Sequence, residues 1–213
     1  MKGVLLVISG PSGVGKTTLV KKFLEEFKDE VVFSISCTTR KPRPGEVHGK
    51  DYFFVSKEEF EKMIKKDELL EWAIVHGNYY GTPKSFIYEN LLKGKSILLD
   101  IDPHGAFQIK EKMKDAVLIF ILPPSWEELR KRLLKRKSES EEEIKKRLAQ
   151  AREEIMVSKE YDYLIVNDEV NKAYNQLKSI YIAEKRKTNR VLANIEKEIK
   201  DSYLISLIKG EGK

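Results

Sequence analysis

Apolar residues follow two rhythms along this chain. Five short runs, residues 4–9, 31–36, 96–102, 116–122 and 163–166, are dense in Val, Ile and Leu, as strands buried on both faces are. Between most of them the apolar positions recur every three or four residues, the spacing of an amphipathic helix. Alternating strand and helix predict an α/β fold built on a five-stranded parallel sheet with right-handed crossovers. The connection spanning residues 37–95 is too long for a simple crossover. It carries strand signals at 51–55 and 69–75 and a helix between them, with Ser56 and Glu59 spaced as a capping box. Thr82 followed by Pro83 reads as the N-cap and first-turn proline of another helix, and Gly94 as its end. A second insertion, 125–158, follows the fourth run. It predicts two charged helices, opened by Ser125 with Glu128 and by Ser140 with Glu143, joined through the hydrophilic stretch 137–143. Beyond Arg190, residues 191–208 read as one apolar-periodic helix that packs on the core or on a second copy, so a homo-oligomer is left open.

Composition narrows the class. With 213 residues, 41% hydrophobic and 35% charged, the chain has one substantial core with lobes attached. A net charge of +6 raises polynucleotide binding, but Lys and Glu interleave along most helices, as on solvated faces. No nucleic acid is therefore expected as a partner, and the same Lys- and Glu-rich surface is compatible with a thermophilic source. The longest apolar run, 116–122, is strand-sized, so no membrane is expected either. The chain opens directly on a strand with no secretory pattern, which gives a cytoplasmic expectation. A single cysteine, Cys37, excludes an intramolecular disulfide and a cysteine-rich metal site. His48, His76 and His104 lack ligand spacing and read as loop or structural residues.

The candidate chemistry starts where the first run ends. Residues 10–17 read Gly-Pro-Ser-Gly-Val-Gly-Lys-Thr, and an amphipathic stretch follows to residue 27. Strand, G-x-x-x-x-G-K-[ST], helix is a phosphate-binding loop in its proper context. Glycines let the backbone fold tightly around phosphate oxygens, and the helix N-terminus turns its free N–H groups toward the anion. Gly10, Pro11, Ser12, Gly13, Val14, Gly15, Lys16, Thr17 and Thr18 are thus expected to bind a nucleoside triphosphate. Lys16 is expected at the β- and γ-phosphates, and the Thr17 hydroxyl directly on Mg²⁺.

The long insert bears on the second substrate. Its first loop runs Ser-Cys-Thr-Thr-Arg-Lys-Pro-Arg-Pro-Gly-Glu-Val-His-Gly-Lys-Asp-Tyr over residues 36–52. Arg40 and Arg43 sit in a stretch stiffened by proline and glycine, with Tyr52 at its far end, a set suited to a phosphate monoester. This loop, the Glu71-Trp72-Ala73 and Gly77-Asn-Tyr-Tyr-Gly81 segments and Leu99-Asp-Ile-Asp102 resemble guanylate kinase over about residues 3–190. The resemblance implies a P-loop core with a five-stranded parallel sheet (1–36, 96–124 and 159–190), an inserted mixed α/β GMP-binding lobe (37–95) and a helical lid (125–158), with 191–213 as a helical extension. It implies reversible transfer of the γ-phosphoryl of MgATP to GMP or dGMP, giving ADP and GDP, within purine nucleotide metabolism and GMP recycling. Residue by residue, Arg40, Arg43, Tyr52 and Tyr80 match positions that grip the GMP phosphate, and Ser36, Glu71 and Thr82 those that read guanine. One carboxylate at Glu71 can accept from guanine N1–H and the N2 amino group together, whereas adenine would turn a lone pair toward it. Asp100 matches the acidic residue that reaches Mg²⁺ through water and counts, with Asp102, among the GMP-binding positions, Asp102 matching one close to the GMP ribose and the side chains that grip its phosphate. In the lid, Arg132, Arg136 and Arg147 match arginines that bracket the transferring phosphoryl group, and Asn167 falls on the adenine side. Arg130 and Arg152 read as solvated charges, and Tyr79, Trp72 and Trp126 as packing residues. Two other classes compete: a scaffold domain of the same fold that binds protein ligands, which typically has a degraded phosphate loop, and a basic nucleic-acid binder, for which no motif is present.

Overall fold

In the computed structural model, residues 3–75, 77–134, 141–193 and 195–210 are described. The chain opens with β1 (Leu5–Ser9), α1 (Lys16–Glu26) and β2 (Val31–Phe33). The insert follows as β3 (Cys37–Thr38), β4 (Phe53–Phe54), α2 (Lys57–Lys65), β5 (Leu69–Val75), β6 (Asn78–Pro83) and α3 (Lys84–Leu92). The chain returns through β7 (Ser96–Asp100), α4 (Pro103–Lys112) and β8 (Val117–Leu122). Two helices, α5 (Trp126–Leu134) and α6 (Glu141–Met156), lead to a 3-10 turn and β9 (Tyr163–Val166). It closes with α7 (Val170–Lys185), α8 (Thr188–Leu192), α9 (Ile195–Glu198) and α10 (Ser202–Lys209).

The five apolar runs form one parallel sheet in the order β2-β7-β1-β8-β9. Every residue of β1 is buried, because α1 and α7 cover one face of the sheet and α3 and α4 the other. That two-sided burial is why the strands read as continuous apolar runs. The register sets Ile8 beside Asp100. The loop that leaves β1 and the carboxylate that ends β7 therefore emerge together at the C-terminal edge of the sheet, where strand order reverses and ligands bind in folds of this kind.

The insert builds a second, mixed sheet in the order β4-β3-β6-β5. Its small core joins Cys37, Phe60 and Leu69, with Phe53, Trp72 and Tyr79 half-buried against them. Tyr79 stacks on Phe60 at 5.1 Å between ring centroids, the packing role expected of it. Burial pushes the Cys37 thiol up to about 12, so it behaves as an inert apolar side chain. The expected capping box is present: Ser56 accepts from Glu59 N–H, and Glu59 accepts from Ser56 N–H.

Three local expectations are corrected. Thr82 does not cap α3. It lies inside β6, its hydroxyl is committed to Glu71, and Pro83, extended at φ −64° and ψ 129°, holds the cap position instead. Asp102 does not end the third core strand, since β7 stops at Asp100 and Asp102 caps α4 by accepting from Gly105 N–H at 2.9 Å. The C-terminal helix predicted over 191–208 is broken into short pieces, and a new start is made at Asp201, whose carboxylate accepts from Leu204 N–H. Helix α8 is fastened to the core by buried Arg190, which bonds Glu184 and the Asp115 carbonyl. The apolar residues of α10, among them Tyr203, Leu204 and Leu207, stay exposed. Among the described residues no helix is long and apolar enough to cross a membrane.

Candidate active site

The turn after β1 folds into a tight backbone cradle because its glycines take conformations that side chains resist. Gly13 and Gly15 have φ of 85° and 99°, and a Cβ on Gly15 would lie 2.4 Å from Asn167 Nδ2. Asn167 lies buried beneath the loop and donates that amide to the Val14 carbonyl at 2.7 Å, while its own Oδ1 has no partner among the described residues. Lys16 folds back to donate to the Gly10 carbonyl and stands 4.0 Å from Asp100. Burial raises the Asp100 carboxyl above its ordinary range, and Lys16 opposes that rise. Thr17 and Thr18 are exposed at the start of α1. The loop residues 10–13 and 15–18, with Asp100, Asp102, Arg132 and Glu154, line a cavity of about 550 Å³.

The charged insertion reaches this cradle. Arg132 spans α5 and the loop, bonding Glu128 at 2.9 Å and the carbonyls of Val14 and Asn167 at 3.3 Å each. From α6, Arg147 donates to Ser12 Oγ at 3.0 Å. Ser125 accepts from Glu128 N–H as expected of a cap. Arg136, Ser140 and His76 lie outside the described residues.

The second sheet carries the other predicted cluster. Arg40 donates bidentately to Glu46, at 2.9 Å through each nitrogen, and to Tyr80 Oη at 3.1 Å, and its guanidinium lies 5.3 Å from the Tyr52 ring centre. Glu46 also accepts from Arg43 N–H, and this company holds its carboxyl at about 2. Arg43 itself is exposed beside them. Ser36 and Tyr52 line a small gap that reaches Asp100, so the lobe and the core share a wall.

Glu71 and Thr82 are set opposite each other by the β5–β6 register. Both are buried, and Thr82 donates its hydroxyl to Glu71 Oε1 at 2.6 Å. Burial lifts the Glu71 carboxyl to about 7, with Thr82 pulling it down and Asp102 pushing it up. A Cβ on Gly105 would lie 3.0 Å from Glu71 Oε2, so a glycine at this point in α4 leaves the carboxylate its space. Gln108, one turn on, clamps the Trp72 backbone through both its amide nitrogen and its carbonyl.

Four contributors were not in the sequence-derived set: Glu46, Gly105, Gln108 and Glu154. Glu46 alone carried a signal, a carboxylate six residues after Arg40 in a stiff loop. The other three act across the fold, from helices whose approach to the site no local spacing reveals. His48 is a loop residue as expected, its Nδ1 accepting from Phe54 N–H at 3.2 Å.

Comparison with known proteins adds an independent line. A family model described as guanylate kinase matches residues 2–184. The guanylate kinase of Caldanaerobacter subterraneus subsp. tengcongensis is 53% identical over 189 residues, covering 89% of this chain and 91% of its own. That of Thermotoga maritima is 47% identical over 197 residues, covering 92% and 95%. A crystal structure of guanylate kinase from Anaplasma phagocytophilum is similar at a TM-score of 0.68 and 41% identity, covering 88% of this chain and 89% of that one.

Proposed function

The chain belongs to the guanylate kinase family, and on that premise we propose how it works as an ATP:GMP phosphotransferase. The triphosphate of ATP takes the cradle at residues 10–18, with the adenine toward the end of β9, where Asn167 supports the loop from beneath. GMP takes the second sheet, its phosphate on Arg40, Arg43, Tyr52 and Tyr80 and its base on Ser36, Glu71 and Thr82. The observation that carries this reading is the buried Glu71 carboxylate, fixed by Thr82 and facing a space that Gly105 keeps open. An ionised carboxylate that accepts one hydrogen bond from Thr82 still has lone pairs for guanine N1–H and N2–H. AMP would leave those acceptors unpaired in a buried site, which is the arrangement that discriminates strongly.

The acceptor phosphate needs little activation, being largely anionic at neutral pH, so catalysis rests on alignment and charge neutralisation. Lys16 leaves the Gly10 carbonyl for the oxygens of the transferring group. Arg132 and Arg147 hold the cradle from the lid side, and Arg136 is proposed to join them. Bringing lobe and lid together excludes water, the competing acceptor. The cavity also suits Mg²⁺, since Thr17, with its hydroxyl, and Asp100, with its carboxylate, both line it and offer hard oxygen donors. Such a site supplies only one or two protein ligands and leaves the rest to phosphates and water, as Mg²⁺ prefers. When bound, the ion would neutralise charge on the triphosphate. The substrates are cytoplasmic nucleotides, and we place the enzyme in the same compartment.

The test is ADP formation from MgATP with GMP, AMP, CMP and UMP offered separately. Turnover dependent on GMP is the expected result. Turnover with another nucleotide in its place would remove the assignment of Glu71, and GMP binding without turnover would move the scaffold reading to the front.

A further inference from the structure

The strand that carries Glu71 breaks the alternation of its own side chains. Successive residues of a regular strand point to opposite faces, so Glu71 should follow Leu69, and Trp72 should follow Leu70. Instead Leu69 and Trp72 share the small core of the lobe, while Leu70 packs in the main core, in the cluster that holds Ala106 and Ile109 of α4. The pairing explains the change. Leu69 lies opposite Pro83 and Glu71 opposite Thr82, so two steps along β5 match one along β6, a β-bulge at Leu70. Bulges bend a strand, re-aim its side chains and disrupt the ladder locally. This one turns Glu71 toward α4, where Gly105 leaves room for its Oε2.

The bulged stretch is also an edge of its sheet, since β5 pairs only with β6, and α4 supplies partners for that edge. Gln108 Nε2 donates to the Trp72 carbonyl at 3.1 Å, and Gln108 Oε1 accepts from Trp72 N–H at 3.3 Å. Lys112 Nζ donates to the Leu69 carbonyl at 3.0 Å. Gly105, Gln108 and Lys112 recur at the spacing of one helix face, and their contacts straddle the bulge from Leu69 to Trp72. Another face of α4 is fastened separately, Lys110 bonding the Ala116 carbonyl and Asp162. None of the bonds from Gln108 or Lys112 goes to the Glu71 side chain, so both act through the strand. We propose that Gln108 and Lys112 are positioning residues for base selection: by holding the bulge they set the Glu71 carboxylate at the guanine edge, and α4 becomes a determinant of GMP over AMP. This inference rests on the assignment of guanine to Glu71. A carboxylate that meets two N–H groups at once tolerates little displacement, and a shift of about 1 Å can cost a reaction roughly a hundred-fold. A bulge that relaxed by one residue would carry Glu71 to the opposite face.

The experiment measures kcat/KM for GMP and for AMP with MgATP, and Tm, in the wild type, Glu71→Gln, Gln108→Met, Lys112→Met, Lys112→Arg and Lys110→Met. Gln108→Met keeps the length of the side chain and removes both bonds. It should lower the GMP-to-AMP ratio roughly ten-fold, the scale of two neutral hydrogen bonds, with the loss falling on GMP and ATP KM unmoved. Lys112→Met should lower the ratio about three-fold, and Lys112→Arg, which can still donate to the Leu69 carbonyl, should restore most of it. Lys110→Met removes comparable bonds from the same helix, and should lower Tm without moving the ratio. If Gln108→Met folds poorly, Lys112→Met carries the same test from the other side of the bulge. A lowered Tm with an unchanged ratio in the Gln108 and Lys112 variants overturns the proposal. So does an equal loss with both acceptors, or a fall in the ratio as large in Lys110→Met, since each would make the clamp a matter of stability alone. An unchanged ratio in Glu71→Gln is a separate failure, removing the guanine assignment on which this inference rests.

Discussion

The two nucleotide sites proposed for this enzyme are built by opposite means. The donor site is made of backbone: a loop with φ of 85° and 99° at Gly13 and Gly15, anchored on a fully buried strand and propped by the Asn167 amide. The acceptor site is made of side chains held by other side chains: Arg40 by Glu46, Glu71 by Thr82, and the strand beneath them by Gln108. Backbone recognition suits a phosphate chain, which presents the same oxygens in every nucleotide. Side-chain recognition suits a base, whose edge must be told from others. Damage to the donor site should therefore remove chemistry, and damage to the acceptor site should mainly change which substrate is used.

Lys16→Ala is the strongest way to break that comparison. It should lower kcat by roughly a thousand-fold, the scale of losing one preorganised charge at the transferring group, while the Kd for GMP, measured by calorimetry, stays within about two-fold. A parallel loss of GMP affinity would mean that the two sites are not separable. Glu71→Gln should act the other way. The GMP-to-AMP ratio of kcat/KM should fall about a hundred-fold as one of the paired acceptors becomes a donor, with the loss larger than any change in ATP KM. The same residue ties stability to pH. Its carboxyl is raised from an ordinary 4.5 to about 7 in the fold, so the folded protein holds a proton more tightly than the unfolded chain. The fold therefore loses stability as pH rises between those values and loses nothing further above them. Glu71→Gln should accordingly raise Tm at pH 8, by up to the equivalent of about 3 kcal/mol, and leave it nearly unchanged at pH 4. GMP affinity in the wild type should weaken as pH falls below 7, since a protonated Glu71 offers guanine one acceptor fewer. The same pH profile in the Glu71→Gln variant would assign that weakening to the nucleotide.

What the sequence makes legible follows the same division. The loop proposed for phosphate is written locally, as glycines and a lysine at fixed spacing between a strand and a helix, and the structure has that turn between β1 and α1. The parallel sheet is equally legible, since burial on both faces leaves continuous apolar runs. Partnerships across the fold are not. Thr82 before Pro83 has the local look of a helix cap, yet its hydroxyl is spent on Glu71, because the β5–β6 register brings the two together and a buried carboxylate is the stronger claimant. Asp102 shows the reverse: a residue read only for the ligand also caps α4. Gly105 and Gln108 could not have been found, for their importance lies in the distance between α4 and β5, which no spacing encodes.

Glu46→Gln sharpens the comparison at the next level of effect. Nothing in the proposed contacts has Glu46 touching GMP, and a change there tests whether the acceptor site depends on its supports. Arg40 would lose a charged, bidentate partner and the freedom to swing would return to its guanidinium. KM for GMP should rise about ten-fold with kcat changed less than three-fold, and ATP KM should not move. A fall in kcat at unchanged KM would instead place Arg40 at the transferring group.

The smallest expected effect is the most exacting test of what the acceptor lobe reads. Thr82 is fully buried in β6, with its methyl packed and its hydroxyl on Glu71. Thr82→Ser removes the methyl and keeps the donor. The packing loss should lower stability by about 1 kcal/mol, the scale of one buried methyl with an incompletely closed cavity. The GMP-to-AMP ratio should stay within about two-fold, because the hydroxyl still holds the carboxylate in register. In Thr82→Val the shape is kept and the donor lost, so stability and selectivity should part in the opposite sense. If serine and valine damaged the ratio equally, the methyl and hydroxyl would be serving one packing function, and the claim that this lobe recognises its base through supported side chains would fail at its best-defined pair.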